Sequence, residues 1–350
     1  MREQDQLRFA VIGCGTAGIC HIQAIKELPE AKLVAIACTS RGKKEAIKLS
    51  EKYKCDYYID YLEMLKRDDI DVVSVAVPHW LHSEIGINIA KAGKHIIVEK
   101  PIDISINKAY SLIRAAHEAN VKLCVIFQSR FAEDVVLTKQ AIEDGKIGKI
   151  NFAAAYLKLY REQEYYDDNP WRGKIKLSGG GVLINQSIHY VDLLRYLAGP
   201  IEEVFGYITT RGHKNIEVED EAVATIKFAN GAIGIIEGST IAYPGFGQRI
   251  DIYGDKGSIV IKNDKIIEWK LKSHEPNPSV VKEIRSGIDS PDIIDITLHK
   301  RQIQDMIKAI KDNREPFING EEGLSSLEIV LAIYKSAETH KPVRLPLKLL

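Results

Sequence analysis

Val11-Ile12-Gly13-Cys14-Gly15-Thr16-Ala17-Gly18 decides the reading of this chain. It sits between an apolar run, LRFAVIG, and an amphipathic stretch over residues 17–28, which places a G-x-G-x-x-G on a strand-to-helix turn. Glycine at 13 permits the tight turn, glycine at 15 lets the backbone approach a pyrophosphate, and glycine at 18 lets the helix pack close to the strand. The helix N-terminus then offers free N–H groups to phosphates. Gly13, Gly15, Thr16, Ala17 and Gly18 are therefore the candidate phosphate cradle, with an ordinary glycine-rich turn as the plain alternative.

Working outward, the alternation continues: KLVAIAC, a helix over 42–53, DVVSVAVP, a helix over 82–92, HIIVEKP, a helix over 105–119, and KLCVIFQ. Unbroken apolar strands alternating with helices predict a doubly wound α/β domain whose parallel sheet, of about six strands, is buried on both faces. After residue 128 the pattern changes to strands at 150–160, 201–211, 220–229, 232–241, 248–254, 257–262 and 265–271. Several are joined by turn signals such as Asn230-Gly231 and Asn263-Asp264. Hairpin-linked strands make a mostly antiparallel sheet, so the second domain is expected to be α+β. The predicted division is a nucleotide-binding domain at 1–127 and a substrate-binding and oligomerisation domain at 128–350. An exposed loop is expected over 273–292, with closing helices at 297–312 and 323–339.

Composition narrows the function classes. Lys+Arg 48 against Asp+Glu 48 gives no net charge to gather nucleic acid or an anionic membrane. No apolar run approaches the roughly 18 to 20 residues of a membrane span, and the charged start predicts no signal peptide. Five cysteines (Cys14, Cys20, Cys38, Cys55, Cys124) without metal-ligand spacing read as reduced thiols of a cytoplasmic protein that carries no structural metal.

The cofactor's identity is expected to be written at the end of the second strand, where an acidic residue would hold the ribose diol of NAD. Cys38 stands there, followed by Thr39-Ser40-Arg41-Gly42-Lys43-Lys44. Hydroxyls and a guanidinium suit a 2′-phosphate that a carboxylate would repel, so NADP is favoured over NAD, unless the run is only the solvated start of a helix. Glu99-Lys100-Pro101 ends a buried strand on the side where doubly wound folds bind ligands. Pro101 restricts Lys100 to extended backbone, and a lysine so aimed can stabilise a developing alkoxide.

A second constellation runs from Ser178 through Gly179-Gly180-Gly181 into a helix bearing Asn185 and His189, four apart and so on one face. A helical histidine is also an ordinary core residue. Ahead of it, YREQEYYDDNPWRG (160–173) holds three Tyr, one Trp and two Arg, the composition of a binding loop.

GCGTAGICH, VPHWLH, AGKHIIVEKP and GGGVLINQSIHYVDLLRYLAG, in this order, resemble the Gfo/Idh/MocA family of sugar and inositol oxidoreductases over residues 7 to about 340. The resemblance implies a Rossmann domain and a C-terminal domain whose open sheet supports homodimers or homotetramers. It also implies catalytic roles for Lys100 and His189. Many family members carry Asp where this chain has Asn185, and often Asp where it has Cys38; the first departure leaves Lys100 and His189 to manage the proton. Within the family, the 161–173 loop and the glycine-helix motif are similar to enzymes that oxidise C3 of UDP-N-acetylglucosamine or its uronic acid for surface polysaccharides, relatives that commonly use NAD. The expected lining is Thr39, Ser40 and Arg41 for the adenosine ribose, and Pro78, His79, Trp80, His82 and Glu99, with Lys100, for the nicotinamide side. Arg161, Tyr166, Trp171, Arg172 and Asn185, with Lys100 and His189, are expected to face the substrate. The rival expectations are a free-sugar or cyclitol dehydrogenase and a non-catalytic NADP(H) sensor.

Overall fold

Phe9, Ala10 and Val11 have no exposed surface, nor have Val72, Val73, Ile96, Ile97 and Val98. Strands covered on both faces cannot afford the alternation of a half-solvated sheet, and this is why they read as unbroken apolar runs. The computed structural model describes residues 6–279 and 295–347. It divides into two units, one of Met1–Gln128 with Ile293–Leu324 and one of Ser129–Asp292 with Ser325–Leu350.

The first unit runs β1 (Leu7–Ile12), α1 (Thr16–Lys26), β2 (Ala31–Ala37), α2 (Lys43–Tyr53), β3 (Asp56–Tyr58), α3 (Tyr61–Leu65), β4 (Val72–Val75), α4 (His82–Lys91), β5 (His95–Val98), α5 (Ile106–Glu118) and β6 (Leu123–Val125). All six strands are parallel in the order β3-β2-β1-β4-β5-β6, so the winding reverses between β1 and β4. Loops at the carboxyl ends of those two strands diverge and leave the crevice where such sheets take ligands. β3 and α3 carry no periodicity legible in sequence, being three and five residues long.

The second unit holds α6 (Glu133–Glu143), β7 (Ile150–Lys158), α7 (Glu164–Asp167), α8 (Ile175–Ser178), α9 (Ile188–Ala198), β8 (Ile201–Thr209), β9 (Glu221–Phe228), β10 (Ile233–Ser239), β11 (Gly247–Gly254), β12 (Gly257–Lys262) and β13 (Lys265–Leu271). After them come α10 (Thr297–Lys311), α11 (Gly320–Thr339) and β14 (Val343–Arg344). The eight-stranded sheet has the order β13-β12-β11-β7-β10-β9-β8-β14, antiparallel except where β10 meets β7. Alternate residues of β9 are buried, as a sheet with one covered face requires. On the covered side, Arg130 makes a bidentate pair with Asp192 at 2.7 and 2.6 Å, and the Ser326 hydroxyl donates to the same carboxylate at 2.7 Å.

The uninterrupted second domain expected at 128–350 is corrected by α10, which belongs to the first unit. Ile303, Met306 and Ile307 join Phe9, Ile22 and Ile25 in one hydrophobic cluster. The Gln302 side chain accepts from the Phe127 N–H at 3.1 Å and donates to the Val125 carbonyl at 2.8 Å. An amphipathic pattern announces that a helix buries one face but not which core receives it. Of the expected 273–292 loop, residues 273–278 are exposed and irregular after a short turn, Ser279 is half-buried, and 280–292 lie outside the described residues. All five cysteines are free, and no described helix is long and apolar enough to cross a membrane.

Candidate functional site

The glycines of the first turn divide by what surrounds them. A Cβ at Gly13, whose φ is 112°, would lie 2.0 Å from the Ala76 carbonyl oxygen, and one at Gly18 would lie 2.0 Å from the Gly13 oxygen. Those two serve the chain's own packing. A Cβ at Gly15 meets nothing within 4 Å. Gly15 is the N-cap of α1 and gives no side-chain cap, and it is exposed together with Thr16. An uncapped helix start with open space in front of it fits a dinucleotide pyrophosphate. At the end of β2, Thr39, Ser40 and Arg41 are exposed around a short 3-10 turn, Ser40–Gly42. Burial and the neighbouring Cys38 push the Cys14 thiol up to about 12, so it stays protonated and unreactive.

At the carboxyl end of β5, Glu99 is buried while Lys100 is half-buried. His21 Nε2 stands 3.0 Å from Glu99 Oε1, and the other carboxylate oxygen accepts the Lys100 backbone N–H at 3.1 Å. Burial pushes the Glu99 carboxyl up, but hydrogen bonds from His21 and His299 outweigh it and hold the group well below the usual carboxylate range. The ligand atoms of His21, Glu99 and His299 lie within 4.8 Å of one another. Because an imidazole already bonds the carboxylate directly, the trio reads as a hydrogen-bonded cluster.

Pro78 is half-buried ahead of the short turn His79–Leu81, in which His79 is buried and Trp80 half-buried. His82, expected on the nicotinamide side, is engaged by the chain's own backbone. It is fully buried, with Nδ1 2.7 Å from the Pro101 carbonyl and Nε2 2.8 Å from the Val77 carbonyl. Burial lowers its pKa, and the ring spans the two carbonyls and ties the Pro101 turn to the end of β4.

In the second unit, the glycine run answers to the chain itself. A Cβ at Gly181 would lie 1.8 Å from the Glu219 backbone oxygen, and one at Gly180 would lie 2.1 Å from the Tyr334 hydroxyl. The buried Glu219 carboxylate accepts from Gly181 N–H at 2.7 Å, Leu183 N–H at 2.9 Å and Tyr334 OH at 2.8 Å. The plain helix expected here is corrected, because Leu183–Ser187 form a π turn before α9 begins. Such bulges insert a residue into the spiral and often mark functional positions. Asn185 lies within this turn, its side-chain amide 3.3 Å from both the Gly180 and Gly181 carbonyls, and His189 is buried in the first turn of α9.

The 161–173 loop is only partly irregular, with α7 and a 3-10 turn Pro170–Gly173 inside it. Tyr166, expected to face the substrate, turns its ring to the chain's own interior. It is 3% exposed and packs its ring 4.7 Å from that of His213, which also bonds the Arg161 carbonyl at 2.9 Å. The neighbouring Tyr165 takes the central place. The guanidiniums of Arg161 and Arg172 lie 5.8 and 4.2 Å from its ring centre, and its hydroxyl accepts from Gln186 at 2.8 Å. Neither guanidinium pairs with a carboxylate among the described residues; their polar contacts go to the backbone oxygens of Tyr160 and Tyr165. Trp171 is half-buried beside Arg172.

Sequence reasoning passed over His21, His299, Tyr165, Glu219 and Tyr334. Only His21 and Tyr165 carried a local signal, the first three residues after Gly18 and the second inside the aromatic loop. The others reach their partners from more than thirty residues away.

Comparison with known proteins accords with this geometry. Residues 7–127 match the oxidoreductase family model with an NAD-binding Rossmann fold, and 135–260 match the GFO/IDH/MocA C-terminal domain. The WlbA dehydrogenase of Bordetella pertussis, solved with NADH and UDP-GlcNAcA, is 33% identical with a TM-score of 0.86, covering 98% of this chain and all of that one. Levoglucosan dehydrogenase of Pseudarthrobacter phenanthrenivorans is 32% identical over 76% of each chain. Myo-inositol 2-dehydrogenase of Thermotoga maritima is 29% identical over 97% of this chain and 98% of its own. The relatives named for an activity of this kind are dehydrogenases of sugar or cyclitol hydroxyls, and the chain is an oxidoreductase of the Gfo/Idh/MocA family.

Proposed function

We propose that this oxidoreductase acts on C3 of a UDP-N-acetylhexosamine or its uronic acid. The observation that carries the reading is the pair of guanidiniums about Tyr165, held by backbone carbonyls and without carboxylate partners among the described residues. Arginine forks match diphosphate oxygens, and a tyrosine ring offers a face or edge to a base or sugar. The likeness to WlbA, whose structure holds UDP-GlcNAcA, supports the same substrate class.

When bound, the nicotinamide supplies the hydride acceptor. A hydride leaves a carbinol carbon only as the hydroxyl loses its proton, and a positioned base is worth roughly 10² to 10⁴ in rate. Lys100 hydrogen-bonds the reacting hydroxyl and stabilises the developing alkoxide, and His189 takes up the proton. Asn185, being an amide, accepts no proton and orients by hydrogen bonding. Gly15, Thr16 and the α1 N-terminus hold the pyrophosphate. Thr39, Ser40 and Arg41 give this chain a preference for NADP(H), although the neighbouring dehydrogenases are described with NADH. The outer face of the eight-stranded sheet carries Tyr207 at 59%, Val223 at 46% and Ile233 at 60% exposure, and this apolar strip is assigned to a homo-oligomer contact.

A second reading, a cyclitol dehydrogenase, is favoured by the relatives named inositol 2-dehydrogenase. In it the two arginines would face only hydroxyls. Calorimetric titration with UDP separates the readings. Binding to the wild type should weaken as salt rises toward a Debye length of about 8 Å, and should weaken further in Arg172→Ala. No binding of UDP at millimolar concentration would dismiss the nucleotide-sugar reading.

A further inference from the structure

Three successive backbone N–H groups at the entry to the π turn go to a single residue. The Glu219 carboxyl group accepts from Gly181 at 2.7 Å on Oε2 and from Leu183 at 2.9 Å on Oε1, and the Glu219 backbone carbonyl accepts from Val182 at 3.0 Å. Tyr334 of α11 donates its hydroxyl to the same Oε1 at 2.8 Å. The segment held in this way supplies the carbonyls of Gly180 and Gly181 that meet the Asn185 amide, and it leads directly into the first turn of α9 with His189. A π turn departs from the regular spiral, so its shape depends on what grips its ends.

The next residue does the same for the aromatic loop. Asp220 is wholly buried and accepts from the Arg211 N–H at 2.9 Å on Oδ1, and from the Gly212 and His213 N–H groups at 2.8 and 2.9 Å on Oδ2. His213 carries this hold outward, with Nδ1 3.3 Å from Asp220 Oδ2 and Nε2 2.9 Å from the Arg161 carbonyl. The backbone gives a second route. The Thr240 N–H donates to the Asp220 carbonyl at 2.9 Å, and the Arg161 N–H donates to the Thr240 carbonyl at 2.8 Å. Arg161 is one of the two guanidiniums set about Tyr165. A buried carboxyl group is tolerated only where donors surround it, and here each set of donors belongs to a different part of the site.

We propose that Glu219 and Asp220 are positioning residues with separate duties: Glu219 sets the turn that presents Asn185 and His189 to the reacting hydroxyl, and Asp220, through His213, sets Arg161 against the substrate diphosphate. The inference rests on the nucleotide-sugar reading. Being consecutive, the two residues fix the separation of the subsites they serve.

Steady-state kinetics of the full chain with UDP-N-acetylglucosaminuronate, beside calorimetric titration with UDP, test it as a crossed pair. Whichever way its amide turns, Glu219→Gln sets an NH2 group against the N–H of Gly181 or of Leu183; kcat should fall at least about tenfold with Kd for UDP within about twofold. Asp220→Asn likewise opposes the N–H groups of Arg211 or of Gly212 and His213; Kd for UDP and KM should rise about tenfold with kcat at saturation within about twofold. A merely structural role would move both parameters together in both variants. That result, or a shift of the same parameter in both variants, or no shift in either, overturns the proposal. Should either variant not fold, Tyr334→Phe and His213→Phe take their places, since each removes one partner of the respective carboxyl group. The first should lower kcat alone about threefold and the second should weaken UDP binding alone about fivefold, and any other pattern counts against the proposal. A wild type that turns over a sugar without binding UDP at millimolar concentration overturns the nucleotide-sugar reading instead, a failure visible before any variant is made.

Discussion

At the carboxyl edge of the six-stranded sheet, the atoms proposed to meet the pyrophosphate belong to glycines, backbone N–H groups and a helix start; along the 161–173 loop the proposed contacts are rings and guanidiniums, the latter stacked on Tyr165 and held by backbone carbonyls. The first kind of surface is fixed by main-chain geometry and admits little variation. The second is assembled from side chains whose replacement leaves the backbone in place. Relatives named for different sugars and cyclitols share the dinucleotide-binding fold, as such a division allows: a rigid half for the pyrophosphate and an adjustable half for the varied ligand.

The largest expected effects would sharpen the comparison by removing chemistry from each half in turn. Lys100→Met in the first unit and His189→Asn in the second should each lower kcat at least roughly a hundredfold while leaving cofactor Kd within about twofold. Near-full turnover at saturating substrate in either variant would remove that residue from the proton-handling role.

A smaller effect separates the two sorts of glycine. Gly13→Ala puts a methyl group against the Ala76 carbonyl at a positive φ and should cost roughly 3 kcal/mol or more, seen as a fall in Tm. Gly15→Ala faces open space, so Tm should hold while cofactor Kd rises about tenfold from lost backbone approach. If Gly15→Ala binds cofactor normally, the pyrophosphate does not lie against this turn.

The smallest effect is a shift of a curve. Asn185→Asp places a carboxylate one turn before His189, favouring the imidazolium and raising the histidine's pKa. A base that must be neutral then loses activity at a higher pH, so the acid limb of the pH–rate profile should move upward. An unmoved limb would show that position 185 does not reach the proton-handling group.

What the sequence disclosed follows the same division. The G-x-G-x-x-G, the apolar strands and the Glu99-Lys100-Pro101 ending were legible because each is local: a turn needs its glycines and a doubly buried strand needs its run. The hairpins after residue 128 were legible for the same reason. His299 clasping Glu99, Glu219 holding the glycine run and α10 entering the first core were not, because each joins segments distant in sequence. Tyr166 and Tyr165 show the limit most sharply. Adjacent and chemically identical, one is buried against His213 and the other lies between two arginines, and no local pattern tells them apart.

The central claim, that the adjustable half takes a nucleotide sugar, is tested most directly by comparing kcat/KM for UDP-N-acetylglucosaminuronate with that for myo-inositol, following absorbance of the reduced nicotinamide. Two charge-assisted hydrogen bonds to the diphosphate, at about 1.5 to 3 kcal/mol each, predict an advantage of at least about a hundredfold for the nucleotide sugar. Turnover of myo-inositol with none of the nucleotide sugar would contradict it.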